Sequence, residues 1–138
     1  MNRRALVDAG PLVALLTGQA TDWQAWAVNQ LTSRPVPLFT CDAVLAEAAH
    51  LLGGPAPLLR MMNDHLLVTQ FDSQVNAVRL ERLVRKYADL PMDFADACLL
   101  VMAEQHPEAE ILTFDRRDFG VYRLSNGRPV RFAAPPVR

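Results

Sequence analysis

The sequence predicts an α/β protein, a sandwich of helices on a mostly parallel sheet. Three observations predict it. Short apolar runs alternate with longer helical patterns along the whole chain. Two of these runs end directly in an aspartate, at Asp8 and Asp115, as strands do when they lead into a ligand-binding edge. Finally, 138 residues with 51% hydrophobic content suit one domain with a real core, and no internal repeat or low-complexity segment divides them.

Each element follows from its residues. Ala5-Leu6-Val7 reads as a buried strand closed by Asp8, with Ala9-Gly10-Pro11 turning into a short helix over residues 12–16. Residues 22–31 read as a helix with Trp23, Trp26 and Leu31 on its apolar side. Pro37-Leu38-Phe39-Thr40 is a second strand. Residues 42–52 form a helix that Asp42 is placed to cap, with Val44, Leu45, Ala48, Leu51 and Leu52 as its apolar face and Glu47 at the margin. Gly53-Gly54-Pro55 ends it, and a further helix runs to about His65. Leu66-Leu67-Val68-Thr69 is a third strand.

Residues 73–87 read as a long helix with Val75, Val78, Leu80, Leu83, Val84 and Tyr87 inward. Arg79, Arg82 and Lys86 form a basic stripe on it, and Glu81 and Arg85 stand in i,i+4 register. The next helix runs from Asp93 to about Gln105, and residues 110–114 are a fourth strand. Residues 121–124 and 130–132 flank Asn126-Gly127, a hairpin signal. One domain is expected over residues 1–133, with a frayed tail over 134–138.

Composition sets bounds. The net charge of −1 neither demands nor excludes a nucleic-acid partner. Lys86 is the only lysine, so the basic side is nearly all arginine, the better residue for bidentate phosphate contacts. Cys41 and Cys98 show no zinc spacing and suit a reducing cytoplasm. The apolar run behind Met1-Asn2-Arg3-Arg4 is broken by Asp8, Gly10 and Pro11, so neither a signal peptide nor a membrane span is expected.

The stretch 91–97, Pro-Met-Asp-Phe-Ala-Asp-Ala, carries the most chemistry. Asp93 and Asp96 lie three apart at a helix start, and Asp96 falls in the arc of Leu99, Leu100 and Ala103. A carboxylate on a core-facing arc is costly without a partner, be it a cation, a donor network or a metal. Asp93 is equally placed to be an N-cap, with Asp96 complementing the helix dipole. Asp8 and Asp115 project from strand ends, and Glu47 lies a little over a turn into the helix after the second strand. These acids, from separate segments, are candidates for one cleft. Clustered carboxylates raise one another's pKa, and a divalent ion removes that penalty. Oxygen-only ligands point to Mg2+ or Mn2+. Such a site suits phosphodiester hydrolysis by activated water, with Arg79, Arg82, Lys86, Arg116 and Arg117 available to a phosphate backbone.

This arrangement resembles the PIN-domain family of ribonucleases and, within it, the VapC-type toxins of bacterial toxin–antitoxin pairs. Leu6-Val7-Asp8-Ala9-Gly10-Pro11-Leu12, Val44-Leu45-Ala46-Glu47, Asp96-Ala97 and Leu112-Thr113-Phe114-Asp115-Arg116-Arg117-Asp118-Phe119 look like its four motifs, in order over nearly the whole chain. The resemblance implies a three-layer α/β/α sandwich and a metal-dependent endoribonuclease. Its acidic set would be Asp8, Glu47, Asp96 and Asp115, supported by Asp93 and Asp118. Thr113 would orient the site by a hydrogen bond. The resemblance also implies homodimers and a cognate antitoxin.

Other folds compete for parts of this pattern. A phospho-receiver domain wants adjacent early acids and a late lysine, and Lys86 lies mid-helix. Glu47-Ala48-Ala49-His50 matches one half of a di-iron motif with no second copy. A phosphate-binding Gly-Lys-Ser/Thr loop is absent. The remaining alternative is a PIN-like module that binds RNA or protein without cutting.

Overall fold

The computed structural model describes residues 2–90 and 92–137. Met1, Pro91 of the acidic stretch and Arg138 of the tail lie outside the described residues.

Among the described residues five short strands form one fully parallel sheet: β1 (Ala5–Val7), β2 (Leu38–Thr40), β3 (Leu67–Thr69), β4 (Glu110–Leu112) and β5 (Phe132–Ala133). The order is β3-β2-β1-β4-β5. Ala5, Leu6 and Val7 are fully buried, as expected of a central strand covered on both faces. The register Ala5–Glu110, Leu6–Ile111 and Val7–Leu112 brings the carboxyl ends of β1 and β4 level. The chain leaves β1 toward β2 but leaves β4 toward β5, so the strand order reverses between these two neighbours. Ligand crevices in open α/β sheets open at such a point.

Among the described residues seven helices complete the α/β/α sandwich: α1 (Ala9–Thr17), α2 (Asp22–Ser33), α3 (Asp42–Leu52), α4 (Ala56–Asn63), α5 (Ala77–Lys86), α6 (Phe94–Gln105) and α7 (Arg116–Val121). From Ala95 to Met102 every residue of α6 is buried, which marks it as an interior helix. Its carboxyl end is tied down by Arg79 of α5, which pairs with Glu104. Arg34, just past α2, bonds Glu110 of β4 at 2.8 Å and Gln30 at 2.6 Å, fixing α2 to the sheet.

Several sequence expectations are corrected. α1 starts at Ala9 rather than residue 12, because Asp8 caps it and Pro11 falls within its first turn, where a missing N–H costs nothing. Cys41, not Asp42, occupies the cap position of α3, and Asp42 lies in the first turn. Leu51 is 58% exposed, since the buried stripe of α3 runs through Val44 and Ala48. Trp23 is 48% exposed, leaving Ala27 and Leu31 as the buried residues of α2.

The long helix expected from residue 73 begins only at Ala77. Its buried stripe is Asn76, Leu80 and Leu83, with Tyr87 packed against the core, a spacing of four, three and four. Val75, Val78 and Val84 fall outside that arc, and Val75 is 78% exposed. The expected hairpin is also reduced. Val121 ends α7, Arg123 and Pro129 make a single antiparallel bridge, and the chain then joins β4 in parallel as β5. In the expected tail, Ala134 is buried and its carbonyl accepts from Arg116 at 3.0 Å.

Candidate active site

The carboxyl ends of β1 and β4 deliver the first two acids. Asp8 follows β1, and its backbone N–H donates to the Leu112 carbonyl at 2.9 Å, continuing the strand pairing. Its Oδ1 accepts from the Ala9 N–H at 2.8 Å and caps α1. Its Oδ2 accepts from the Thr113 hydroxyl at 2.7 Å. The Thr113 oxygen in turn accepts the Asp115 N–H at 3.0 Å. One fully buried hydroxyl thus joins both acid-bearing segments.

Asp115 caps α7, accepting from the Asp118 N–H at 3.0 Å. Asp93 caps α6, accepting from the Asp96 N–H at 2.8 Å. Both readings of the 93–96 pair therefore hold together: Asp93 is a cap, and it also faces the cleft. Asp96 is 8% exposed, and its Oδ2 accepts from the Tyr122 hydroxyl at 3.0 Å. That is a donor of the kind a buried carboxylate requires.

These residues line one open cavity of about 400 Å³, with Asp8, Glu47, Asp93, Asp96, Asp115 and Asp118 around it and Gly10 and Phe114 completing the wall. No arginine, lysine or histidine contributes to that wall among the described residues. All four acids of the predicted set come together there, as do both supporting aspartates. The tightest group is Asp96, Asp115 and Asp118, one oxygen from each lying within 4.8 Å of the others. Asp118, expected only as support, belongs to that group. Asp8 and Glu47 stand outside it, and Glu47 is exposed.

The electrostatics follow from burial and like charge. Burial, then Asp93, push Asp96 up to about 8, against the lowering effect of the Tyr122 hydroxyl. Asp8 is raised, chiefly by burial, although Thr113 and Ala9 pull the other way. Glu47 is raised by burial and by the charges of Asp8 and Asp93. Asp118 is raised by burial and by its contact with Asp115.

The donor set fits a hard divalent cation. Oxygens around such an ion at roughly 2.0–2.6 Å from it stand at most about 5 Å apart, and those of Asp96, Asp115 and Asp118 lie within 4.8 Å of one another. The raised pKa values are those of carboxylates lacking a counter-charge.

The basic residues divide. Arg116 and Arg117 line a neighbouring cavity that shares Phe114 and Asp115 with the acidic one. Arg79, Arg82 and Lys86 line a different groove between α5 and α6, where Arg79 is taken up by Glu104. Sequence reasoning missed Tyr122, because its segment read as a strand. The signal available was the partner that Asp96 demanded. Gly10 and Phe114 were also missed as wall residues. A Cβ on Gly10 would lie 2.7 Å from the Phe114 ring, so the glycine is what lets the two segments close up.

No protein-family profile matches the sequence, and no curated protein does. Among solved structures, the chain is similar to VapC20 of Mycobacterium tuberculosis, a sarcin–ricin loop cleaving toxin. The two are 21% identical, the match covers 82% of this chain and 91% of that one, and the TM-score is 0.65. With its parallel sheet and flanking helices, the chain has the α/β fold of that PIN-domain toxin.

Proposed function

We propose that this protein is a metal-dependent endoribonuclease, the toxin of a bacterial toxin–antitoxin pair. The observation that carries the reading is the cavity at the carboxyl ends of β1 and β4, walled by six carboxylates and no cation among the described residues. Asp96, Asp115 and Asp118 would hold Mg2+ or Mn2+, with Asp8 at the same edge and Asp93 and Glu47 toward the rim. A bound divalent ion supplies activation of water and neutralisation of charge on the phosphodiester.

The protein's own groups do the rest. Thr113 holds the Asp8 carboxylate and the Asp115 backbone in one geometry. Tyr122 holds Asp96 and favours its ionised form. Arg116 and Arg117 sit beside Asp115, where the phosphates flanking the cleaved bond would run. Arg79, Arg82 and Lys86 are reserved for a more distant part of the RNA. Exposed Val75 just before α5 and Val78 on it, with Phe94, offer apolar surface for a homodimer, and Leu51 and Leu59 for an antitoxin. Among the described residues no helix is long and apolar enough to cross a membrane. A cytoplasmic site of action is proposed with the RNA substrate.

The test is cleavage of an RNA carrying the sarcin–ricin loop, the substrate named for the VapC20 toxin. Cutting is expected with manganese, none with chelator, and none from Asp8→Asn or Asp96→Asn. Cleavage that persists in both variants would remove this site assignment. Retention of RNA without cutting would make the chain a binding module.

A further inference from the structure

Beside the acidic cavity lies a second one of about 410 Å³, and its chemistry differs. Phe114 and Asp115 belong to both, so the two meet along one wall. Trp23 stands on the far side at the start of α2, half exposed, its ring 4.7 Å from that of Phe114 and tilted by 56°. Trp26 backs Phe114 at 6.1 Å. Arg116 is anchored at the rim by donating to the carbonyls of Ala134 and Pro135 at 3.0 and 3.3 Å. Arg117 is exposed, and its charge acts on neighbouring Asp118. An exposed indole, a phenyl ring and two guanidinium groups thus share one concavity.

The half-exposed indole stands at the start of α2 and is held by its ring contact with Phe114. Aromatic faces take a nucleobase of any kind by stacking, and guanidinium groups take the phosphate beside it. A base inside a duplex already has both faces covered, so only an unpaired nucleotide can use such a surface.

We infer that this cavity is a subsite for one unpaired nucleotide, its base against Trp23 and Phe114 and its phosphate at Arg116 and Arg117. The strand then crosses the shared Phe114–Asp115 wall into the acidic cavity. Only that last step rests on the ribonuclease reading. The nucleotide there would be read by stacking more than by base edges.

Trp23 and Trp26 are the only tryptophans, so Trp26→Phe makes Trp23 the sole indole reporter. The probes are a short unstructured oligoribonucleotide and an abasic oligomer of the same length, titrated with chelator present. The base-bearing strand should quench Trp23 emission saturably and bind roughly tenfold more tightly than the abasic one. With affinity read instead by gel shift of labelled probes, Trp23→Ala should abolish that tenfold preference, Trp23→Phe should restore most of it, and Arg117→Ala should weaken both probes alike. Equal affinity for the two probes, or equal quenching by the same strand in a duplex, overturns the subsite and leaves the cavity to a protein segment. Because the readout needs neither metal nor cleavage, quenching in a protein that fails to cut leaves the subsite standing without the nuclease. Metal-dependent cutting with no preference for bases does the reverse.

Discussion

The Thr113 hydroxyl donates to Asp8 Oδ2 at 2.7 Å across 105 positions of sequence. The same oxygen accepts the Asp115 N–H. Two neighbouring parallel strands therefore place their terminal acids through one side chain that carries no charge.

Thr113→Val keeps the shape and removes both hydrogen bonds. It strands the Asp8 carboxylate and the Asp115 amide in a buried setting, at a cost of about 1–3 kcal/mol in urea unfolding. Cleavage should fall by roughly 10–100-fold, as when a partner behind a metal ligand is lost. Thr113→Ser should restore most of it. A valine variant as active as the parent would show that the hydroxyl positions nothing.

Metal-free protein should lose stability as pH rises. Asp96 has a folded pKa of about 8 against an ordinary 3.8. Between those values the folded state holds a proton that the unfolded chain has released, so stability falls from about pH 4 to about pH 8 and then levels. Asp8 and Glu47 shift in the same direction. Asp96→Asn should flatten much of this slope in thermal melts at stepped pH. Manganese should raise Tm more at pH 8 than at pH 6, because it binds the ionised form. A slope unchanged in the variant would refute Asp96 as its main source.

Tyr122→Phe removes the donor to Asp96 from a fully buried ring that has room to stay in place. Its hydroxyl favours the ionised carboxylate. Without it, Asp96 should hold its proton to higher pH, and stability should drop by about 1 kcal/mol. Calorimetric titration should find weaker manganese binding at pH 7, with the deficit narrowing by pH 9. A deficit independent of pH would point to altered packing instead.

Gly10→Ala tests how tightly the wall is built. The new Cβ would stand 2.7 Å from Phe114 Cδ2, so the ring must move. Overpacking of this kind costs about 1–3 kcal/mol. Trp23 leans on that ring, so its emission should shift along with the loss of stability. An alanine variant with parental emission and melting would mean that Phe114 yields freely.

Much of this was legible in the sequence for definite reasons. β1 through β4 are short apolar runs bounded by turn residues, and a central parallel strand buries every side chain. Asp8 and Asp115 were legible because they end such runs. Asp96 was legible as a charge on an apolar arc. Its partner was not, because α7 has only six residues, too few for a helical period to show, and Tyr122 follows it directly. The roles of Asp93 and Asp118 were hard to divide because each is both a helix-start residue and a wall of the cavity. On α5, valines outside the buried stripe looked like core, since hydrophobicity does not say which arc meets a neighbour.

The strand order carries a further consequence for synthesis. β1 is made early yet lies between β2 and β4, and Asp93, Asp96, Asp115 and Asp118 all come from the later part of the chain. A growing polypeptide thus displays Asp8 and Glu47 with nothing opposite them until β4 slots in beside β1. On the proposed ribonuclease reading, the acidic cavity would stay incomplete, and the protein harmless to the RNA around it, until its last strands have left the ribosome.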